Sequence, residues 1–342
     1  MKRIIQTLVA LALAGVIGGG AVVGFGLYNV SARGGHWPGV STVLHRTFLQ
    51  SVKLRAPSAD EVPADLKDPD RAALGAYHFS NGCAFCHAVP GEPRSATALS
   101  MNPQPPHITE AVAHWEPEQM FWIVREGVKM SGMPHWPAAG NEDEIWSVVA
   151  YLDSVADQRT GLPQIGADGA GCRDCHGESG QSNNGFIPRL DILTTDQIAA
   201  ALTQYRAGTR SSGIMQEAAV GLSDAQITRL ADIFGAEAFP PMPNVQEDTS
   251  GWSLATRGTD AVPACTACHG PGRAADAPIA PALAGQSEKY LANQLHLWRD
   301  GERGGGPRAE LMQKAAQSLS DAEIAELAAW YAGQAASGLE SR

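Results

Sequence analysis

The chain has 342 residues, of which 44% are hydrophobic and only 6% aromatic, and its formal net charge is −11. That length suits two or three small domains. The acidic balance argues against nucleic acid as a partner, since a phosphate backbone is bound through clustered cations.

Residues 4–30 carry no charged side chain and follow Met1, Lys2 and Arg3. Such a stretch is long enough to span a bilayer as a helix. It also exceeds the roughly 7–15 apolar residues of a cleaved signal peptide, so residues 1–33 are expected to stay as a membrane anchor. Cleavage is the alternative, because Gly18, Gly19 and Gly20 could end a shorter apolar region. Lys2 and Arg3 put the N-terminus in the cytoplasm and everything after the anchor outside. Gly15 and Gly19 are four apart, as are Gly20 and Gly24, a spacing that lets membrane helices approach closely. Glycine is nevertheless common in any membrane helix.

Residues 34–70 scatter proline and charge with little periodicity and read as a linker holding one short helix near residues 42–52. His36, Trp37 and His45 sit close to the bilayer exit and suit interfacial anchoring better than metal ligation.

Three C-x-x-C-H motifs follow, Cys83/Cys86/His87, Cys172/Cys175/His176 and Cys265/Cys268/His269, and they use all six cysteines. This is the pattern of three covalently attached c-type haems. Two thiols three positions apart on one helical turn each reach a haem vinyl group, and the adjacent imidazole becomes the proximal iron ligand. Structural zinc would need a second Cys or His pair near each motif, and the sequence has none. A thioredoxin-like thiol pair would need a βαβ context, which is also missing.

The residues after the anchor repeat one plan: a haem motif, a proline-rich stretch, a short helix, a methionine and a final amphipathic helix. Residues 145–152 have helical spacing of apolar side chains behind Asn141, Glu142, Asp143 and Glu144. Ser223 with Gln226, and Ser320 with Glu323, form capping-box patterns ahead of two further helices. No segment alternates with period two, so the fold class is all-α. The expected domains are residues 71–160, 161–246 and 247–342. The second and third form an internal duplication: Cys172 and Cys265, Pro188 and Pro281, and Leu190 and Leu283 are each 93 residues apart. Met215 and Met312, and the Leu-Ser-Asp-Ala segments starting at Leu222 and Leu319, are 97 apart after a small insertion. The first domain shares the plan but not the wording.

The sixth iron ligand decides whether the metal binds substrate or only passes electrons. Of eight methionines, Met133, Met215 and Met312 follow their motif histidines by 46, 39 and 43 residues. Core packing is the usual role of a methionine. Recurrence after every motif favours ligation instead, because a soft, weakly donating thioether raises the potential and closes the iron to oxygen. Met130 rivals Met133, His135 and His296 are histidine alternatives, and Met242 belongs in the connector before the third domain.

Residues from about 161 to 333 resemble the dihaem cytochrome c-four family, through residues 265–270, 281–286, 290–291 and 297–303, with residues 205–210 fitting less fully. Residues from about 74 to 152 are similar to monohaem class I cytochromes c of membrane-anchored electron-transfer subunits, through residues 127–136 and 145–152. The resemblance implies three class I cytochrome c domains in tandem, His/Met coordination, and electron transfer outside the cytoplasmic membrane. Arg173 and Asp174, between the second pair of cysteines, depart from the usual small residues and imply a more exposed or differently poised haem.

The resulting expectation is a membrane-anchored, triple-haem carrier on the periplasmic side, relaying single electrons from a quinol-linked or dehydrogenase donor to a terminal acceptor. The alternative is an obligate cytochrome subunit of a larger dehydrogenase or oxidase complex. No nucleophile motif or paired carboxylates suggest bond chemistry, and a haem peroxidase would need one domain without its methionine. The first 33 residues hold Lys2, Arg3 and Arg33 and no acid, so the remainder sets 22 basic against 36 acidic residues, a balance of −14. Its redox partners are therefore expected to dock through basic surfaces.

Overall fold

The computed structural model describes residues 1–129, 131–138, 140–159, 171–235, 250–270 and 280–334. Helix α1 (Lys2–Gly24) has none of its apolar side chains buried, and it is long and apolar enough to cross a membrane. Just beyond it, Tyr28 packs edge-on against Trp37 at 5.0 Å, and its hydroxyl lies 2.7 Å from His36 Nδ1. This amphipathic aromatic cluster suits a membrane interface.

Helix α2 (Val40–Arg55) is longer than the short linker helix expected from sequence. Gly39 enters it in a left-handed conformation, and Ala56, which precedes Pro57, leaves it extended as proline demands. Its length comes from tertiary packing: Val52 is fully buried, and Phe48 meets Trp115 edge-on at 5.6 Å.

The first unit contains α3 (Pro69–Gly82), α4 (Ala84–His87), α5 (Ala96–Leu99), α6 (Ile108–Ala111), α7 (Pro117–Glu126) and α8 (Glu142–Ala156). Asp68 caps α3 by accepting from Asp70 N at 2.8 Å, and Pro69 occupies the first helical position, where no amide is needed. Helix α3 crosses α8 at Gly75. A β-carbon there would meet the Ser147 carbonyl oxygen, so only glycine allows the approach. Around the crossing, Phe79 lies against Tyr151 and Phe121 stacks on Trp146 at 4.2 Å, with Ile145, Val148 and Val149 filling the core.

The second unit comprises α9 (Cys172–His176), α10 (Thr195–Arg206), α11 (Gly213–Val220) and α12 (Asp224–Phe234), around a small core of Ile198, Ala231 and Phe234. The third comprises α13 (Ser250–Arg257), α14 (Thr266–His269), α15 (Glu288–Arg299), α16 (Ala309–Ala316) and α17 (Asp321–Gly333). Its core includes Leu254, Leu291, Ile324, Leu327 and Trp330, and Gly251 lets α13 cross α17 as Gly75 does for α3 and α8. Both expected capping boxes form, at Ser223 with Gln226 and at Ser320 with Glu323.

The duplication is visible as matched contacts. Arg206 binds Asp224 at 2.7 Å and the Leu222 carbonyl at 2.8 Å; Arg299 binds Asp321 at 2.7 Å and the Leu319 carbonyl at 3.3 Å. Where the two units meet, Gln286 exchanges hydrogen bonds with the Arg189 backbone at 2.8 and 3.0 Å, and Arg210 and Gly304 form an antiparallel bridge. The first unit touches both: Asn184 Nδ2 donates to Asp70 O at 2.7 Å, and Lys289 pairs with Asp68. Among the described residues no β-strand forms, so the fold is all-α. The expected boundaries near residues 161 and 247 lie outside the described residues.

Candidate haem sites

Each C-x-x-C-H motif lies on one short helix (α4, α9 or α14, the first cysteine at its N-cap in α4 and α14) that ends in the histidine. In all three, histidine Nδ1 faces a prolyl carbonyl: His87 to Pro106 at 2.9 Å, His176 to Pro188 at 3.3 Å and His269 to Pro281 at 2.9 Å. A carbonyl only accepts, so Nδ1 carries the proton and donates. The free lone pair is then on Nε2, where a metal could bind, and the ring is held in one orientation. Burial also lowers the pKa of His87 and His176, keeping both as neutral bases. The 93-residue repeat of Pro188 and Pro281 was visible in sequence, but their hydrogen-bonding role was not.

Burial pushes the thiols of Cys83 and Cys175 up to about 12 and that of Cys265 to about 11. These are protonated thiols, unlike the depressed thiolates of redox-active pairs or zinc sites. Cys172 is exposed. Beside it the charged pair turns outward: Arg173 pairs with Glu178 at 3.4 Å, and Asp174 accepts from Gly171 N at 2.6 Å.

The methionines differ in their surroundings. Met120 is 4% exposed and packs in the first core, while Met133, Met215 and Met312 are only partly buried and lie outside the apolar clusters. Met133 N donates to Ser131 Oγ at 3.1 Å, in a loop closed by Val128 N on the Met133 carbonyl at 3.1 Å. Met215 N donates to Ser212 Oγ, the cap of α11, at 3.1 Å. Met312 lies in α16, its amide on the Arg308 carbonyl at 3.1 Å. Met130 and Met242 lie outside the described residues. Of the two histidine alternatives, His135 has Nδ1 2.7 Å from the Trp136 carbonyl and His296 has Nδ1 3.1 Å from Arg299 Nη2, contacts that involve Nδ1 only.

The polar surroundings fit a large group with an acidic edge. Arg210 and Arg303, 93 residues apart in the duplication, lie where the second and third units meet, stacked over Tyr205 and Trp298 at 4.6 and 4.5 Å. Burial first, and the Arg210 charge second, bring the Arg303 guanidinium down to about 10. Among the described residues neither is salt-bridged to an acid, and Arg210 Nε is buried without a partner. His78 Nδ1 and Nε2, Trp136 Nε1 and the Tyr331 hydroxyl are buried and unpartnered as well. Each such group costs about 1–3 kcal/mol if left unpaired. The two propionates of haem c offer the carboxylates that cations and donors of this kind lack. Tyr331 also lies near Cys265 and Cys268, and Tyr151 near Cys83, so the last helices of the first and third units border the attachment sites.

Sequence reasoning missed Glu144, Trp136 and Gly213. The Glu144 carboxylate accepts Ser212 Oγ at 2.5 Å and Gly213 N at 2.7 Å, and burial raises its pKa to about 7. Trp136 lies against Gly213, so closely that a β-carbon there would come within 2.6 Å of the indole. The acidic start of α8 was legible, but its use by a helix of another unit was not.

The family profile for cytochrome C oxidase, cbb3-type, subunit III matches residues 70–152, and that for cytochrome c matches residues 255–332. The chain is 37% identical over 183 residues to a thiosulfate dehydrogenase electron acceptor of Thiomonas intermedia, covering 51% of this chain and 83% of that protein. It is 35% identical over 208 residues to a thiosulfate dehydrogenase electron acceptor of Stutzerimonas stutzeri, covering 58% and 94%. It is 30% identical over 190 residues to cytochrome c4 of Thiocapsa roseopersicina, covering 52% and 96%. Little more than half of this chain thus accounts for most of each relative.

Proposed function

This chain belongs to the multihaem class I cytochromes c with cytochrome c4-like domains, and from that premise we propose that it is a membrane-anchored relay of single electrons. Its three haem domains face the periplasm behind the α1 anchor and pass electrons from a quinol-linked or dehydrogenase donor to a terminal acceptor. The observation that carries this reading is the threefold recurrence of a C-x-x-C-H helix whose histidine is held by a prolyl carbonyl. Haem c, when bound, supplies iron that changes oxidation state by one electron.

The chain's own residues hold and tune that group. Cys83 and Cys86, Cys172 and Cys175, and Cys265 and Cys268 anchor it; His87, His176 and His269 are the proximal ligands. Met133, Met215 and Met312 close the distal side, which excludes oxygen and favours relay over catalysis. The three separate apolar clusters support a division at residues 71–160, 161–246 and 247–342. The −14 balance beyond the anchor supports docking to basic surfaces, so transfer rates should fall as ionic strength rises. The test is carbon monoxide binding to the reduced, detergent-purified protein. Little or none is expected, and stoichiometric binding would reveal an open iron and overturn the relay.

A second reading is favoured by the likeness to thiosulfate dehydrogenase electron acceptors. Here the chain is the cytochrome subunit of a dehydrogenase whose catalytic centre is in another polypeptide. Purification in mild detergent decides between the two: a stoichiometric catalytic subunit selects the second, and isolation of the cytochrome alone selects the free carrier.

A further inference from the structure

The second haem site is bordered by the first domain on two sides. At the distal side, Glu144 at the start of α8 accepts hydrogen bonds from Ser212 Oγ and from the amides of Gly213 and Ile214. These groups form the N-terminal end of α11, where unpaired amides and the helix dipole favour a carboxylate. Ser212 Oγ in turn accepts from Met215 N, so one chain of hydrogen bonds runs from a first-domain carboxylate to the backbone of Met215.

Trp136, three residues beyond Met133, fills the space beside Gly213 and is backed by His78, stacked at 6.0 Å with ring planes 16° apart. At the attachment side, Tyr77 lies near enough to Cys175 and Asp174 for their charges to raise its pKa, after burial, which raises it most. The duplicated third domain supplies an internal comparison. Three residues before its methionine, where the second domain has Ser212, the third domain has Ala309. The hydroxyl that both caps α11 and meets Glu144 is therefore particular to the second domain, where the first domain docks.

We propose that the first domain is a positioning element for the distal ligand of the second haem, with Glu144 and Trp136 clamping residues 212–214 so that Met215 is held on the iron. The proposal rests on the reading of Met215 as that ligand. A thioether is a weak donor, and its occupancy depends on how firmly its segment is held. Docking of the first domain thereby sets the potential of the second haem and its resistance to exogenous ligands. It also brings the Met133 loop and the Met215 helix into direct contact, through Trp136 and Gly213.

The test uses the full-length holoprotein with Glu144→Ala, Glu144→Gln and Gly213→Ala, and Met215→Leu as the control. Potentiometric titration and carbon monoxide binding to the reduced protein are read for each. Met215→Leu should lower one potential and open one iron, identifying the second haem. If it leaves all three haems unchanged, the ligand reading fails, whatever the other variants do.

Given that control, Glu144→Ala should raise the fraction of the same haem lacking its thioether by roughly tenfold, the factor expected for one lost hydrogen bond. Gly213→Ala, which displaces Trp136, should act on the same haem, and Glu144→Gln should restore most of the wild-type behaviour. If Glu144→Ala and Gly213→Ala leave that haem's potential and ligand binding as in wild type, or shift all three haems equally, the clamp is overturned while Met215 ligation stands.

Discussion

A β-carbon on Gly75 would stand 1.8 Å from the carbonyl oxygen of Ser147, so helices α3 and α8 touch backbone to backbone at that point. The obstacle is a carbonyl in mid-helix and cannot rotate away. Gly75→Ala should therefore destabilise the first domain by about 3 kcal/mol, the upper range for forcing an extra carbon into a packed core. Gly251→Ala, whose β-carbon would stand 2.4 Å from the Glu326 carbonyl oxygen, should do the same in the third. Denaturant midpoints of the two variants measure this, and unchanged midpoints would refute the crossing geometry.

Three covalent haems are expected per chain, because three motifs use all six cysteines. Alkaline pyridine spectra against protein concentration should give a ratio of three. Cys172→Ala combined with Cys175→Ala should remove one haem and leave the other two. A wild-type ratio of two or fewer contradicts the assignment.

Replacing Met133, Met215 or Met312 by leucine should each abolish the methionine-to-iron charge-transfer absorption of one haem and lower its potential. Met130→Leu should leave all three intact. The reverse pattern for Met130 and Met133 would exchange their roles in the first domain.

Burial raises the Glu144 carboxyl from its ordinary 4.5 to about 7, more than its three hydrogen-bond donors lower it. The docked form therefore binds a proton that the open form releases between these values. Its contribution to docking is complete below about pH 4.5 and is lost as pH rises through about 7. Comparing thermal stability at pH 5 and pH 8 should show wild type losing more than Glu144→Gln. A larger loss for the glutamine variant would reverse the sign and rule out this linkage.

Much of the molecule was legible because its signals are local. The C-x-x-C-H motifs, the boxes at Ser223 with Gln226 and Ser320 with Glu323, and the apolar spacing of residues 145–152 each act within a few residues along one helix. The 93-residue repeat was legible too, and the structure adds to it the matched ion pairs of Arg206 and Arg299.

What only the tertiary structure decided depends on residues distant in sequence. Glu144 looks like an ordinary acid in the first turn of its own helix, yet it binds the start of α11, 69 residues away. Pro106, Pro188 and Pro281 look like loop punctuation, yet their carbonyls orient three imidazoles. Arg210 and Arg303 look like surface cations, yet they meet between units, and among the described residues neither is salt-bridged to an acid. Helix caps and covalent motifs are encoded in short windows of side-chain chemistry. Partners across an interface are set by which surfaces packing brings together, and no local pattern in either segment specifies that.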